Sequence, residues 1–218
     1  MNPVKLVDLD GRIAGDFYAM NRRGNWKKIG SDGNNDGKTY LVTNFRDIQT
    51  IKQNTKNGNY TSVSDISEPI SLPSKEIRRQ MSNVVAYDND NNIQEYGGKG
   101  FVDENGNMFI RELEPGLIWS GFGNAEIDMT KLKDNSNITT DAVFWYHSHP
   151  IGTVDVDEVN FNYINPEPSD VDRSNIKGSG RKYDYVFGLG GGNPQVYIYD
   201  ASGIRAQLSV EEFKNVGE

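Results

Sequence analysis

The sequence predicts an α/β fold of the α+β kind: a mixed, mainly antiparallel β-sheet with flanking helices, preceded by a small β-rich N-terminal segment. Three observations carry this expectation. Short apolar or aromatic pieces separated by Gly, Asn and Asp fill residues 1–68. The run Ala142-Val143-Phe144-Trp145-Tyr146 is apolar without interruption, as a central strand covered on both faces must be. Helix start signals, by contrast, are confined to a few short stretches.

In chain order, Asp16-Phe17-Tyr18-Ala19-Met20 and Thr39-Tyr40-Leu41-Val42-Thr43 read as strands of small hairpins. Asp10-Gly11, Arg23-Gly24 and the Gly/Asn/Asp run 30–37 punctuate them, because these residues tolerate tight turns. Residues 46–60 show little periodicity and read as a linker or irregular surface segment. Ser74 can cap a helix over 75–81, where Ile77 and Met81 share a face. Residues 96–101 and 108–111 form two strands around Asn105-Gly106, and 118–121 are a further extended piece. After the apolar run comes an acidic excursion, 154–168. Residues 183–188 and 195–199 pair as strands, and Ser209 with Glu212 makes a capping box for a short closing helix. The expected division is a hairpin-rich connector over 1–68 and one larger domain over 69–218.

Composition excludes several classes. The chain has 218 residues and no Cys, which removes disulfides, thiolate catalysis, zinc ribbons and iron–sulfur ligation. A net charge of −8 argues against a nucleic-acid partner bound through neutralised phosphates. No apolar stretch approaches the roughly 18 to 20 residues of a membrane span, and the N-terminus lacks signal-peptide character. Oligomeric state is not legible.

Only two histidines occur, His147 and His149, directly after the most strand-like run. Residues i and i+2 of a strand share a side, so both imidazoles can converge on one ion. A third ligand must be a carboxylate, and Asp155, Asp157, Glu158, Glu167, Asp170 and Asp172 all follow within reach of the chain. Pro168-Ser169-Asp170-Val171-Asp172 reads as a helix N-terminus with Ser169 as cap, which fixes Asp172 in the first turn and makes it the better ligand. A hydrolytic metal site also needs a base, and Glu95, followed by Tyr96 and two glycines that permit close backbone approach, suits that role. Glu76, Glu104 and Glu112 remain alternatives.

Glu95, then His147-Ser148-His149-Pro150, then Ser169-Asp170-Val171-Asp172 resembles the signature of the JAMM/MPN zinc metalloprotease superfamily. The resemblance implies Zn2+ held by His147, His149 and Asp172, Glu95 as the base, Ser169 as the oxyanion or water partner, and a protein or peptide substrate. One departure is plain: residues 151–168 separate Pro150 from Ser169, where the family usually has seven. Either the additional segment shapes access to the cleft, or the third ligand lies nearer than Asp172. The Glu-Tyr-Gly-Gly beginning at Glu95 is most similar to the JAB-like toxin branch.

Asn2-Pro3-Val4-Lys5-Leu6-Val7-Asp8-Leu9-Asp10-Gly11 is similar to the closing element of the core domain in RHS-repeat proteins, with Leu9 where that pattern has Pro. This second resemblance implies the effector domain of a bacterial polymorphic toxin, secreted or delivered as part of a larger protein and countered by a cognate immunity protein. Two other classes compete with a peptidase or isopeptidase: a binding module of the same fold without catalysis, and a metal-dependent hydrolase of another bond, such as a nuclease.

Overall fold

The computed structural model describes residues 15–34, 36–88, 94–117, 127–134, 141–156, 159–164, 166–189 and 192–217, with backbone only over 151–156 and 159–164. The chain divides into two compact units, one running to Ser74 and taking in Val216, the other spanning Lys75–Asn215. The readings of 2–12 and of 118–121 fall outside the described residues.

The first unit is a four-stranded sheet of order β2-β1-β3-β4. Strands β1 (Asp16–Met20) and β2 (Trp26–Ser31) make a hairpin, with Gly24 at φ 80° in its turn. Strand β3 (Thr39–Leu41) pairs parallel with β1, so it is not a hairpin partner, and β4 (Ile70–Leu72) pairs antiparallel with β3. Residues 46–60 are not an irregular linker. They contain most of helix α1 (Phe45–Lys56), whose N-terminus is capped by Asn44 accepting from the Arg46 and Asp47 amides. Its apolar residues are Ile51, which joins Phe17, Tyr40, Val42 and Ile66 in the core, Ile48, which packs against it, and Phe45, which is exposed. So narrow an apolar stripe gives almost no periodic signal, and packing onto the sheet stabilises the helix instead.

The second unit holds a six-stranded sheet of order β12-β11-β10-β7-β5-β6. Its strands are β5 (Gly97–Val102), β6 (Met108–Glu112), β7 (Phe144–His149), β10 (Asp184–Gly188), β11 (Gln195–Asp200) and β12 (Gly203–Ser209). Only β7 and β10 run parallel; the other neighbours are antiparallel. The fold is thus α+β with mixed, mainly antiparallel sheets and flanking helices, and no helix among the described residues is long and apolar enough to cross a membrane.

One face of this sheet is aromatic. Phe144 and Tyr146 of β7 are nearly inaccessible and pack on Tyr185 and Phe187 of β10, which in turn meet helix α4 (Val210–Asn215) through Phe213. Helix α2 (Lys75–Val85) lies alongside, presenting Ile77, Met81, Val84 and Val85. Its Arg78 is buried and donates to the Phe213 carbonyl at 2.6 Å, in the last turn of α4, where carbonyls have run out of helix to pair with. Gly98 and Gly100 make room on this face, since a Cβ would strike Tyr146 at one and the Phe144 ring at the other.

The acidic excursion is a correction as well. Strands β8 (Ile151–Val156) and β9 (Val159–Ile164) form a separate two-stranded antiparallel sheet, Val154 opposite Phe161. Its sequence alternates, Val154-Asp155-Val156 and Val159-Asn160-Phe161-Asn162-Tyr163, a period of two that the acidic charges conceal.

Glycine at 97 is a condition for the central pairing. A Cβ there would press on the Tyr146 carbonyl oxygen and lie 2.9 Å from His147 Cα, which are backbone atoms with nowhere to go. Gly97→Ala is expected to cost about 1–3 kcal/mol of stability, measured by urea unfolding, as overpacking in a well-packed site does. A variant as stable as wild type would mean that β5 can shift away from β7.

Candidate metal centre

Strand β7 sorts its residues by parity. Phe144, Tyr146 and Ser148 face the aromatic side, and Trp145, His147 and His149 the other. The histidines lie on the strand itself rather than beyond its end, and both are buried. Gly97 stands opposite His147 in the β5–β7 register, and continuing that antiparallel ladder by two residues brings Glu95 opposite His149, on the same face. The serine between the histidines secures this arrangement. The Ser148 amide donates to the Tyr96 carbonyl at 2.7 Å, and its hydroxyl accepts the Tyr96 amide at 3.0 Å.

The third component arrives from above. Helix α3 (Asp170–Ile176) begins at Ser169, which forms a capping box with Asp172. The Asp172 amide donates to Ser169 Oγ at 3.1 Å, while the Ser169 amide and hydroxyl each donate to Asp172 Oδ2 at 2.7 Å. The same carboxylate reaches both imidazoles: Oδ1 is 3.2 Å from His147 Nε2 and Oδ2 is 3.4 Å from His149 Nε2, and the two nitrogens are 3.1 Å apart. His147, His149 and Asp172 therefore form a cluster that can hold a metal ion.

These spacings suit zinc. Ligands about 2.0–2.1 Å from a tetrahedral ion stand about 3.3 Å from each other, close to the 3.1 Å between the two nitrogens and to the 3.2 and 3.4 Å from each nitrogen to one or the other Asp172 oxygen. The donor set, two imidazole nitrogens and one carboxylate oxygen, is also one that zinc accepts with a position left open. Without an ion the arrangement is awkward, since two nitrogens at 3.1 Å can share only one proton. His147 Nδ1, moreover, is buried with no hydrogen-bond partner among the described residues.

The carboxylates titrate in opposite directions. Burial works to raise Asp172, but hydrogen bonds from His147, His149 and Ser169 outweigh it and hold the group well below the usual carboxylate range. Glu95 is 5% exposed, and burial pushes it up to about 7; Asp172's charge adds to the rise, while His147 and the Ile127 amide oppose it. That amide donates to Glu95 Oε2 at 3.1 Å, and the Glu95 carbonyl accepts the Gly116 amide at 2.9 Å.

The alternative carboxylates stand elsewhere. Glu76 is exposed on α2 and bonded to Gln80, Glu104 is exposed between β5 and β6, and Glu112 pairs with Lys133 and lies opposite Gly98, on the aromatic face. Glu167 is exposed, and the Asp170 side chain is 93% exposed and paired with Arg173. The side chains of Asp155, Asp157 and Glu158 lie outside the description. Sequence reading missed Arg181. Its Nε donates to both Asp184 oxygens, at 3.0 and 3.1 Å, its other end donates to the Asn175 carbonyl at 2.9 Å, and Asp184 accepts the Trp145 amide. The pair thus ties α3, which carries Asp172, to β7, which carries the histidines. No sequence signal separates it from any other Arg and Asp three residues apart.

Comparison with protein-family models, with curated proteins and with solved structures finds no match to this chain. The cluster's likeness to a JAMM/MPN metal-binding triad accordingly stands on the residues and their geometry.

Glu95 supplies a pH test. Its carboxyl titrates near 4.5 when unperturbed and near 7 in the fold, so between these values the folded protein keeps a proton that the unfolded chain has lost. The associated stability is fully present below about pH 4.5 and is lost as pH rises through 7, a change of about 3 kcal/mol. In chelator-treated protein, Glu95→Gln should therefore gain on wild type by roughly that amount from pH 4.5 to 7 and no further above it. Urea unfolding across pH checks this, and a pH-independent offset would contradict the assignment.

Proposed function

We propose that this protein is a zinc-dependent hydrolase that cleaves an amide bond, as a peptidase or isopeptidase. The observation that carries the reading is the meeting of His147 Nε2, His149 Nε2 and the Asp172 carboxylate through contacts of 3.1–3.4 Å, with buried Glu95 on the same sheet face. His147, His149 and Asp172 would hold the ion. When bound, zinc supplies Lewis-acid polarisation of the scissile carbonyl and lowers the pKa of water.

The protein's own groups supply the rest. Glu95 takes the proton from the attacking water and returns it to the leaving amine; burial raises its carboxyl to about 7 without an ion, and beside a bound cation it would shift from there toward the ionised form that a base requires. The Ile127 amide holds its second oxygen and limits its rotation. Ser169 fixes Asp172 through the capping box, and its single hydroxyl proton is engaged there. A role toward the oxyanion requires that proton to turn away from Asp172. No covalent intermediate with the chain is needed.

The biological setting is the finer part of the proposal. The RHS-like residues 2–12 and the JAB-like run at Glu95 support an effector domain of a bacterial polymorphic toxin, delivered within a larger protein and blocked by an immunity protein. The β8–β9 hairpin starts at Ile151, with only Pro150 between it and His149, and ends at Ile164, a short segment ahead of Ser169, so a substrate or immunity protein gripping it would act on two ligand-bearing elements at once.

Two measurements test the chemistry. Metal analysis should find about one zinc per chain in wild type and little in His149→Ala; full zinc in that variant would sink the ligand assignment. Glu95→Gln keeps size but cannot accept the proton, so hydrolysis of a responsive peptide or isopeptide substrate should fall at least about 10²-fold with zinc content unchanged. Unaltered turnover would give the base role to another group.

A further inference from the structure

The sheet face that bears the histidines carries an unexpected row of cations one ladder step away. Lys99 of β5 stands between Arg111 of β6 and Trp145 of β7 in the register, and Trp145 is two residues before His147 on the same face. Both Lys99 and Arg181 lie against the Trp145 indole, the ammonium 4.7 Å and the guanidinium 3.6 Å from the ring centroid. Arg181 is answered by Asp184 and Arg111 by Asp134. Lys99 has no ion-pair partner among the described residues and is only partly exposed.

Such a lysine is not explained as a stabilising device. Burial and the neighbouring Arg181 both disfavour its charged form, and Asp128 offsets only part of that. A cation–π contact offsets some of that cost, but Met or Leu at the same place would pack on the indole without the repulsion. In a chain of net charge −8, an ammonium with no direct carboxylate contact among the described residues, whose nearby Asp128 is already paired with Lys131, has beside a hydrolytic centre the character of a receptor for an anion.

We propose that Lys99, backed by Trp145 and Arg181, is a subsite for a carboxylate of the substrate. The proposal deepens the hydrolase reading and rests on it. Two residues along a strand span about 6.6–6.8 Å, which is also the repeat of alternate side chains in an extended peptide. A carbonyl held at the histidines therefore leaves an acidic side chain or an α-carboxylate, one or two residues along, within reach of Lys99. A carboxylate suits the site better than a phosphodiester. Both guanidinium groups already have carboxylate partners, one net positive charge remains, and the overall negative charge repels a polyanion.

The test uses the full chain after chelation, so that the metal cluster takes no part. Acetyl-Glu-Glu-amide and acetyl-Gln-Gln-amide are titrated while the Trp145 indole N–H resonance is followed, assigned with Trp145→Phe. The acidic peptide should shift it saturably, with the neutral peptide binding at least about tenfold more weakly. Lys99→Met should lose a similar factor and Lys99→Arg should retain binding. Equal responses to the two peptides, an unaffected Lys99→Met, or tighter binding of thymidylyl-thymidine than of the acidic peptide overturns the proposal. Should Lys99→Met fail to fold, the comparison of the two peptides on wild type decides alone. Zinc analysis of wild type keeps the readings apart: zinc bound without carboxylate binding removes only the subsite, whereas carboxylate binding without zinc removes the hydrolase and leaves the subsite.

Discussion

The two-residue alternation of strand β7 is the constraint on which the rest of this molecule depends. The strand lies between β5 and β10 and is buried on both faces, so each side chain is committed to one of two environments. Even-numbered positions contribute Phe144 and Tyr146 to the aromatic layer under α2 and α4. Odd-numbered positions deliver Trp145, His147 and His149 to the other face. A slip of one residue in register would exchange the two sets and place imidazoles in the aromatic core. Neighbouring strands guard against it, β5 by having glycine at 97, 98 and 100 where it passes closest, and β10 by placing Tyr185 beside Tyr146 and Phe187 beside Ser148.

Asp172 joins two kinds of order in one carboxylate. As the fourth member of Ser169-Asp170-Val171-Asp172 it completes a capping box and so helps to start α3. With the same oxygens it reaches His147 and His149. The helix is seven residues long, too short to persist alone, and the Arg181–Asp184 pair and buried Ile176 bind it to the sheet. Local capping therefore fixes the side chain's direction, and tertiary contacts fix the helix's position. Both are needed to meet two histidines at 3.2 and 3.4 Å.

The elements with strong local signals were legible in the sequence: the apolar run that enters β7, the hairpin around Gly106, the β10–β11 pair, the Ser169 helix cap and the Ser209 capping box. The shared side of His147 and His149 and the fixed place of Asp172 in a helix start were legible too, because strand parity and helix capping are local rules, whereas their meeting was implied only by the resemblance of the motif. What escaped was set at long range. Helix α1 has one fully buried apolar residue, Ile51, and exists because β2 offers it Gly30, where a Cβ would collide with Ile51 and Thr55. Strand β3 lies parallel to β1, a choice that no turn residue records. Hairpin β8–β9 was obscured by its acidic residues, and Arg181 became visible only when the fold brought Trp145, Asp184 and Asn175 around it.

The polar face also defines what the centre requires electrostatically. Glu95 and Asp172 are both shielded from water and close enough that each charge raises the other's cost. Ionised together they place up to two negative charges in a low-dielectric pocket, and the contacts of Asp172 with the two imidazoles at 3.2 and 3.4 Å offset only part of that. A divalent cation matches the deficit in both sign and size, and it would also lower the cost of ionising Glu95. The groups that strain the metal-free fold are thus the groups whose charge and position fit an ion. Lys99 lies outside this balance, since a neutralising lysine would stand among the carboxylates, whereas this one stands two residues up the strand against Trp145, facing whatever anion arrives with the substrate.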